Sequence, residues 1–260
     1  MLKDVVTAPM SGAEFPDGTL KMEYSSSFGD SFRDWALLLP PKNSDIWVTY
    51  LHGSLSHADQ VFTRQDIRAQ ILPRIQRNGW GLLAPNLRNN PRMAPSAVHD
   101  LHELIGYLRR EFSLKRNYLN GGSMGGTGGI IFCMMHPEDV DKAFLMGASP
   151  DIISYYRWIE RDPRPIFAAL RLDMVNAWGG TPDTIPEVYD RQCVLRHPER
   201  LKVPLFLSHA ADDNMIPVRY ARELAEKKAG DPDFIYHELP SGGHDAPLFD
   251  QEGYRFLYGA

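Results

Sequence analysis

The sequence predicts an α/β fold: a mostly parallel central sheet with helices on both faces and a small helical cap insertion. Short apolar runs alternate with helix-length amphipathic segments through most of the chain, the rhythm of a parallel sheet covered on both sides. The runs stop abruptly at small or polar residues, as at His52-Gly53-Ser54, Gly121-Gly122-Ser123 and Gly147-Ala148-Ser149. Strands buried on both faces read this way. A length of 260 residues with a 43% hydrophobic fraction suits one large domain, 1–260, with a cap insertion at about 150–203.

Residues up to about Gly18 are polar, with scattered Pro and Gly, and read as a lead-in. Lys21 to Ser26 and Arg33 to Leu39, closed by Pro40-Pro41, read as an antiparallel edge hairpin. Ile46 to Leu51 is a buried strand, and about Thr63 to Arg77 a helix ended by Asn78-Gly79, with Pro73 marking a kink or a split. Trp80 to Ala84 is the next strand. A helix from about Ser96 to Phe112 spaces Val98, Leu101, Ile105 and Leu108 along one apolar face. The strand at Asn117 to Leu119 runs into a glycine-rich turn and the apolar segment Thr127 to Met135; Ala143 to Met146 is another strand. The rhythm breaks between Pro150 and Pro204, where Tyr155, Tyr156, Trp158, Phe167 and Trp178 are interspersed with Arg, Asp and Pro. It resumes with strands at 204–208 and 234–239 and helices at 218–228 and 246–257.

A net charge of −5 gives no basic patch for a nucleic-acid partner. The two cysteines, Cys133 and Cys193, make no disulfide framework and point to a reducing, cytoplasmic location. Met1-Leu2-Lys3-Asp4 has no long apolar stretch behind it, so neither a signal peptide nor a membrane span is predicted.

The chemistry centres on Gly121-Gly122-Ser123-Met124-Gly125-Gly126. A serine between glycines at a strand-to-helix junction fits G-x-S-x-G, a sharp turn that lifts a nucleophile above the sheet edge. Small neighbours are needed there because strand and helix pass closely. A phosphate-binding loop is excluded: no lysine follows Gly126, and the glycines never complete G-x-G-x-x-G. A serine hydroxyl alone is a poor nucleophile and requires an acid, a histidine and an N–H-bearing loop elsewhere. Asp212-Asp213 follow one later strand and His244 follows the last. Either aspartate could orient the imidazole. The order Ser, acid, His is that of one hydrolase class.

On these landmarks, together with the strand running into His52-Gly53, the chain from Ile46 onward resembles the α/β-hydrolase superfamily, particularly its compact esterase and prolyl-oligopeptidase-like members. The resemblance implies a catalytic Ser123, His244 and Asp213, because Asp213-Asn214-Met215-Ile216-Pro217 is similar to the family's D-x-x-V-P turn. Adjacent side chains on an extended segment point apart, which separates Asp213 from Asp212. Ala210 stands where such families place glycine. The oxyanion hole implied uses the Met124 N–H and, by similarity to single-HG esterases, the Ser54 N–H, with Gly53 next. No cofactor or metal is implied.

His52 is read as shaping its loop, and His99 and His102 as a solvated helix face rather than a metal pair. His57, His136, His197, His209 and His237 carry no pattern. Trp158 and Trp178 are the expected pocket walls among cap residues that otherwise pack, and Arg88 could reach the site mouth. The expected function is cleavage of a small-molecule carboxylic ester, an acetyl or feruloyl carbohydrate ester by resemblance. A prolyl-oligopeptidase-type peptidase and a non-catalytic binding protein of the same fold stay open.

Overall fold

A computed structural model describes residues 1–29 and 31–259. Among these, nine strands form one sheet: β1 (Lys3–Pro9), β2 (Leu20–Ser25), β3 (Arg33–Leu39), β4 (Ile46–Leu51), β5 (Gly81–Pro85), β6 (Arg116–Gly122), β7 (Lys142–Met146), β8 (Leu205–Ala210) and β9 (Phe234–Leu239). Their spatial order is β1-β2-β3-β5-β4-β6-β7-β8-β9. β5 through β9 in that order, with β4 among them, are parallel; β1, β2 and β3 join antiparallel. The hairpin read from the sequence is therefore β2–β3, but β1 covers it and takes the edge. In sequence that strand is indistinguishable from a lead-in because it is exposed along nearly its whole length and shows no apolar alternation.

The helices are α1 (Gln60–Thr63), α2 (Gln65–Asn78), α3 (Pro95–Glu111), α4 (Met124–Met135), α5 (Ile152–Arg161), α6 (Pro165–Trp178), α7 (Pro186–Arg191), α8 (Arg219–Lys227) and α9 (Gln251–Tyr258). Alternation along the strands sorts the core into two layers. Trp47 and Leu51 of β4 pack with Leu101, Ile130 and Leu224 of α3, α4 and α8. Ile46, Val48 and Tyr50 pack with Ile71, Ile75 and Leu257 of α2 and α9.

Pro73 lies inside α2 without splitting it. The final segment differs from expectation: a 3-10 turn at Ala246–Phe249 precedes α9. The break falls at Asp250, whose carboxylate caps the new helix by accepting the Glu252 N–H. Between β7 and β8 lie α5, α6 and α7 and two 3-10 turns. No helix of the described residues is long and apolar enough to cross a membrane.

Candidate active site

β4, β5, β6, β8 and β9 all end on one rim of the sheet, and Ser123, Asp213 and His244 gather there. Ser123 stands between β6 and α4 with φ 58° and ψ −119°. A non-glycine residue in that region carries strain of about 1–3 kcal/mol and persists only where its surroundings fix it. Here the Ser123 N–H donates to Met146 O at 2.9 Å and Ser123 O accepts the Thr127 N–H at 2.8 Å. Asn120 clamps β6 to β7 by donating to Phe144 O at 2.8 Å.

The glycines permit the crossing. A Cβ at Gly125 would overlap Leu51 O and lie 2.8 Å from His52 O; one at Gly121 would lie 2.9 Å from the Gly125 backbone. Gly125→Ala should therefore lower stability by about 1–3 kcal/mol, read from the urea midpoint. Gly106→Ala, in the interior of α3, should raise it by up to about 1 kcal/mol. Equal midpoints for the two variants would contradict the close crossing.

Ser123 Oγ lies 2.8 Å from His244 Nε2, and His244 Nδ1 lies 2.7 Å from Asp213 Oδ2. The Asp213 side chain is fully buried, and its Oδ1 accepts the Met215 and Ile216 N–H groups at 2.7 and 2.9 Å. Burial pushes this carboxyl up. Hydrogen bonds from His209 and His244, the His244 charge and the Ile216 N–H outweigh burial and hold it well below the usual carboxylate range. Asp212 faces elsewhere: its carboxylate accepts the Gly242 and Gly243 N–H groups at 3.1 and 2.8 Å, ordering the loop that carries His244. Ala210 ends β8 and is not among the positive-φ residues, so the turn needs no glycine there.

His209 belongs to this group, although nothing in the sequence singled it out. It is fully buried, with Nε2 3.2 Å from Asp213 Oδ2 and 2.9 Å from Ile216 O. Its Nδ1 has no partner among the described residues, as fits an imidazole with its proton on Nε2. The i, i+4 spacing of His209 and Asp213 across a turn was the available signal.

The loop after β4 reaches the same cleft through Gly53. His52 is buried, with its nitrogens 2.8 Å from Gly53 O and 3.0 Å from Asn86 O, and burial lowers its pKa. The Gly53 N–H donates to Gln60 Oε1 at 2.9 Å. Among the described residues the Ser54 and Met124 N–H groups have no such partner.

The cleft containing Ser123 and His244 is lined by Tyr50, Gly53, Ile67, Met146 and Leu248, with Arg64 and Asp245 also on its wall. Trp158 and Trp178 do not line it. Trp178 is buried and stacked on Tyr189 with centroids 4.3 Å apart, and Trp158 packs edge-on against Phe167. The walls come instead from β4, α2 and the 3-10 turn before α9. Arg88 points away, into an ion pair with buried Asp100 at 2.8 Å.

Among the described residues one group could hold a metal ion: His102, His136, Glu138 and Asp139. His102 is therefore no plain solvated position, since its Nδ1 lies 2.6 Å from Asp139 Oδ2. The cluster sits at the far end of α4 from Ser123. The Arg109 guanidinium already pairs with the Asp139 carboxylate that a cation would need.

A family model described as alpha/beta hydrolase fold matches residues 47–163, from β4 past Ser123 but short of Asp213 and His244. None of the curated proteins compared matches the chain. Solved structures do. A fluorophosphonate-binding serine hydrolase of Staphylococcus aureus matches at 16% identity and a TM-score of 0.66, over 94% of this chain and 98% of that one. A Pyrococcus furiosus esterase matches at 15% identity and a TM-score of 0.65, over 95% of each chain. A Mycobacterium tuberculosis puromycin-hydrolyzing peptidase matches at 17% identity and a TM-score of 0.68, over 95% of this chain and 41% of that one. Likeness at such identities concerns the fold.

Proposed function

We propose that this chain, which has the α/β-hydrolase fold, is a serine hydrolase that cleaves a carboxylic ester through an acyl-enzyme. The observation that carries the reading is the continuous line of contacts from Ser123 Oγ through His244 to Asp213, at 2.8 and 2.7 Å. His244 Nε2 takes the Ser123 proton as Oγ attacks the ester carbonyl carbon, and the carbonyl π pair moves to oxygen. When that oxyanion collapses, the C–O bond to the alcohol breaks and the leaving oxygen takes the proton from His244. Water then repeats the cycle on the acyl-enzyme, releasing the acid and restoring Ser123. Asp213 holds the imidazole in the tautomer with its proton on Nδ1 and stabilises the imidazolium that forms. The Ser54 and Met124 N–H groups serve the oxyanion, each such donor contributing about 2.7–4 kcal/mol.

The apolar side of the cleft, built from Tyr50, Ile67, Met146 and Leu248, suits a short acyl group such as acetyl, with the alcohol toward Arg64 and Asp245. The S. aureus serine hydrolase and the P. furiosus esterase are consistent with ester chemistry. The puromycin-hydrolyzing peptidase favours a second reading, amide cleavage, although this chain spans under half of it. Two buried free thiols, Cys133 and Cys193, fit a reducing compartment such as the cytoplasm.

A substrate panel separates the readings. Short p-nitrophenyl esters should be turned over, with no release from peptide p-nitroanilides. Turnover of the anilides alone selects the peptidase, and neither activity selects a binding protein.

A further inference from the structure

The loop between β5 and α3 is held under strain. Leu87, Arg88, Asn89, Arg92 and Met93 all have positive φ, at 47°, 63°, 69°, 42° and 52°. None is glycine, so the surroundings must impose these conformations. Asp34 does so by accepting the Asn86 side-chain amide and the Arg88 N–H at 2.8 and 2.7 Å, and Gln192 by donating to Met93 O at 2.6 Å. The loop backs directly onto the residues after β4: Asn90 Oδ1 accepts the Leu55 N–H at 2.8 Å, and Arg92 Nη2 donates to Ser54 Oγ at 2.9 Å.

Arg92 differs from Arg88 and Arg109, which both have a buried carboxylate partner. Its side chain is 1% exposed, yet no carboxylate lies within ion-pair distance of it among the described residues, and its Nε has no partner. Arg88 and Arg109, by contrast, sit on the buried carboxylates of Asp100 and Asp139. A guanidinium taken out of water without a counter-charge opposes folding. Its neighbour is the buried Tyr155, whose ring centroid lies 6.0 Å from the guanidinium carbon.

We propose that Arg92 is a positioning residue of the Ser123 site: it holds the Ser54 side chain so that the Ser54 N–H stays aimed at the reacting carbonyl oxygen, and its unpaired charge favours negative charge building there. This rests on the serine hydrolase reading. A countercharge would cancel the second effect. The charge is present before, during and after the reaction, but the carbonyl oxygen carries its negative charge only while the tetrahedral species exists. Its contribution is therefore to kcat more than to substrate binding.

The test uses the full chain and p-nitrophenyl acetate, with kcat and KM measured beside thermal melts for Arg92→Met, Arg92→Lys and Ser54→Ala. Arg92→Met should lower kcat by roughly 10-fold to 100-fold, less than the loss of a direct donor, with KM within about 2-fold of wild type. Its Tm should equal or exceed that of wild type, since an uncompensated buried charge has gone. Arg92→Lys should recover part of kcat, and Ser54→Ala, which keeps the N–H, should show a smaller loss in the same direction. Wild-type kcat in Arg92→Met, or kcat and Tm falling together, overturns the proposal. Should Arg92→Met fail to fold, Arg92→Lys decides: a lower kcat at wild-type KM supports the role, and wild-type kcat removes it. A wild type without ester turnover or fluorophosphonate labelling removes the hydrolase reading itself, a result distinct from a failure confined to Arg92.

Discussion

Ser123→Ala should cut ester turnover by roughly 10⁶-fold and abolish labelling by a fluorophosphonate probe. On the serine hydrolase reading the effect is large because the serine oxygen is the atom that bonds to the acyl carbon. The variant should fold as well as wild type. The backbone hydrogen bond from residue 123 to Met146 O does not involve the hydroxyl, and alanine meets the same positive φ that serine tolerates. A melt beside the kinetics checks this. Labelling that persists in Ser123→Ala would remove Ser123 as nucleophile, whatever the activity.

Asp213→Asn should lower kcat by roughly 10⁴-fold, the scale of tautomer loss in serine proteases. An amide placed 2.7 Å from His244 Nδ1 can donate where the carboxylate only accepts, turning the imidazole so that Nε2 carries the proton and no longer serves Ser123 as a base. Asp212→Asn keeps an acceptor oxygen for only one of the Gly242 and Gly243 N–H groups, which loosens the His244 loop, and should lower turnover far less than Asp213→Asn. The reverse ranking would reassign the acid. Asp213 also couples stability to pH. Its carboxyl binds a proton more weakly in the folded chain than in the unfolded one. The carboxylate's contribution is therefore complete above the unfolded-chain range near about pH 4 and drains away as pH falls below it. Urea midpoints of wild type and Asp213→Asn should converge on acidification; a constant gap would contradict the lowered pKa.

The central parallel strands could be read because β4, β5, β7 and β8 are short, largely apolar and stopped by a small or polar residue, as β4 is at His52-Gly53. The residues placed around Ser123 follow from those stops, since each lies just past a strand's carboxyl end. What could not be read depended on partners far away in sequence. β1 offers no alternation, being exposed along an edge. Trp178 looks the same in sequence whether it lines a cleft or stacks on Tyr189. Arg92 looks like a surface charge until Ser54 and Tyr155 are seen to enclose it. Tyr50, Ile67 and Leu248 belong to the core and also wall the cleft beside Ser123, a double placement no local pattern announces.

The start of α4 has one more consequence. Ser123 stands at its N-cap, and the first turn, Met124-Gly125-Gly126, contains no acidic side chain. A helix carries roughly half a positive charge at that end, from peptide dipoles aligned along its axis. Here no acidic side chain in the first turn neutralises it. This part of the field at Ser123 belongs to the main chain. Side-chain substitutions around the cleft can change what binds there while leaving that electrostatic ground plan in place, which suits a scaffold on which specificity can drift faster than chemistry.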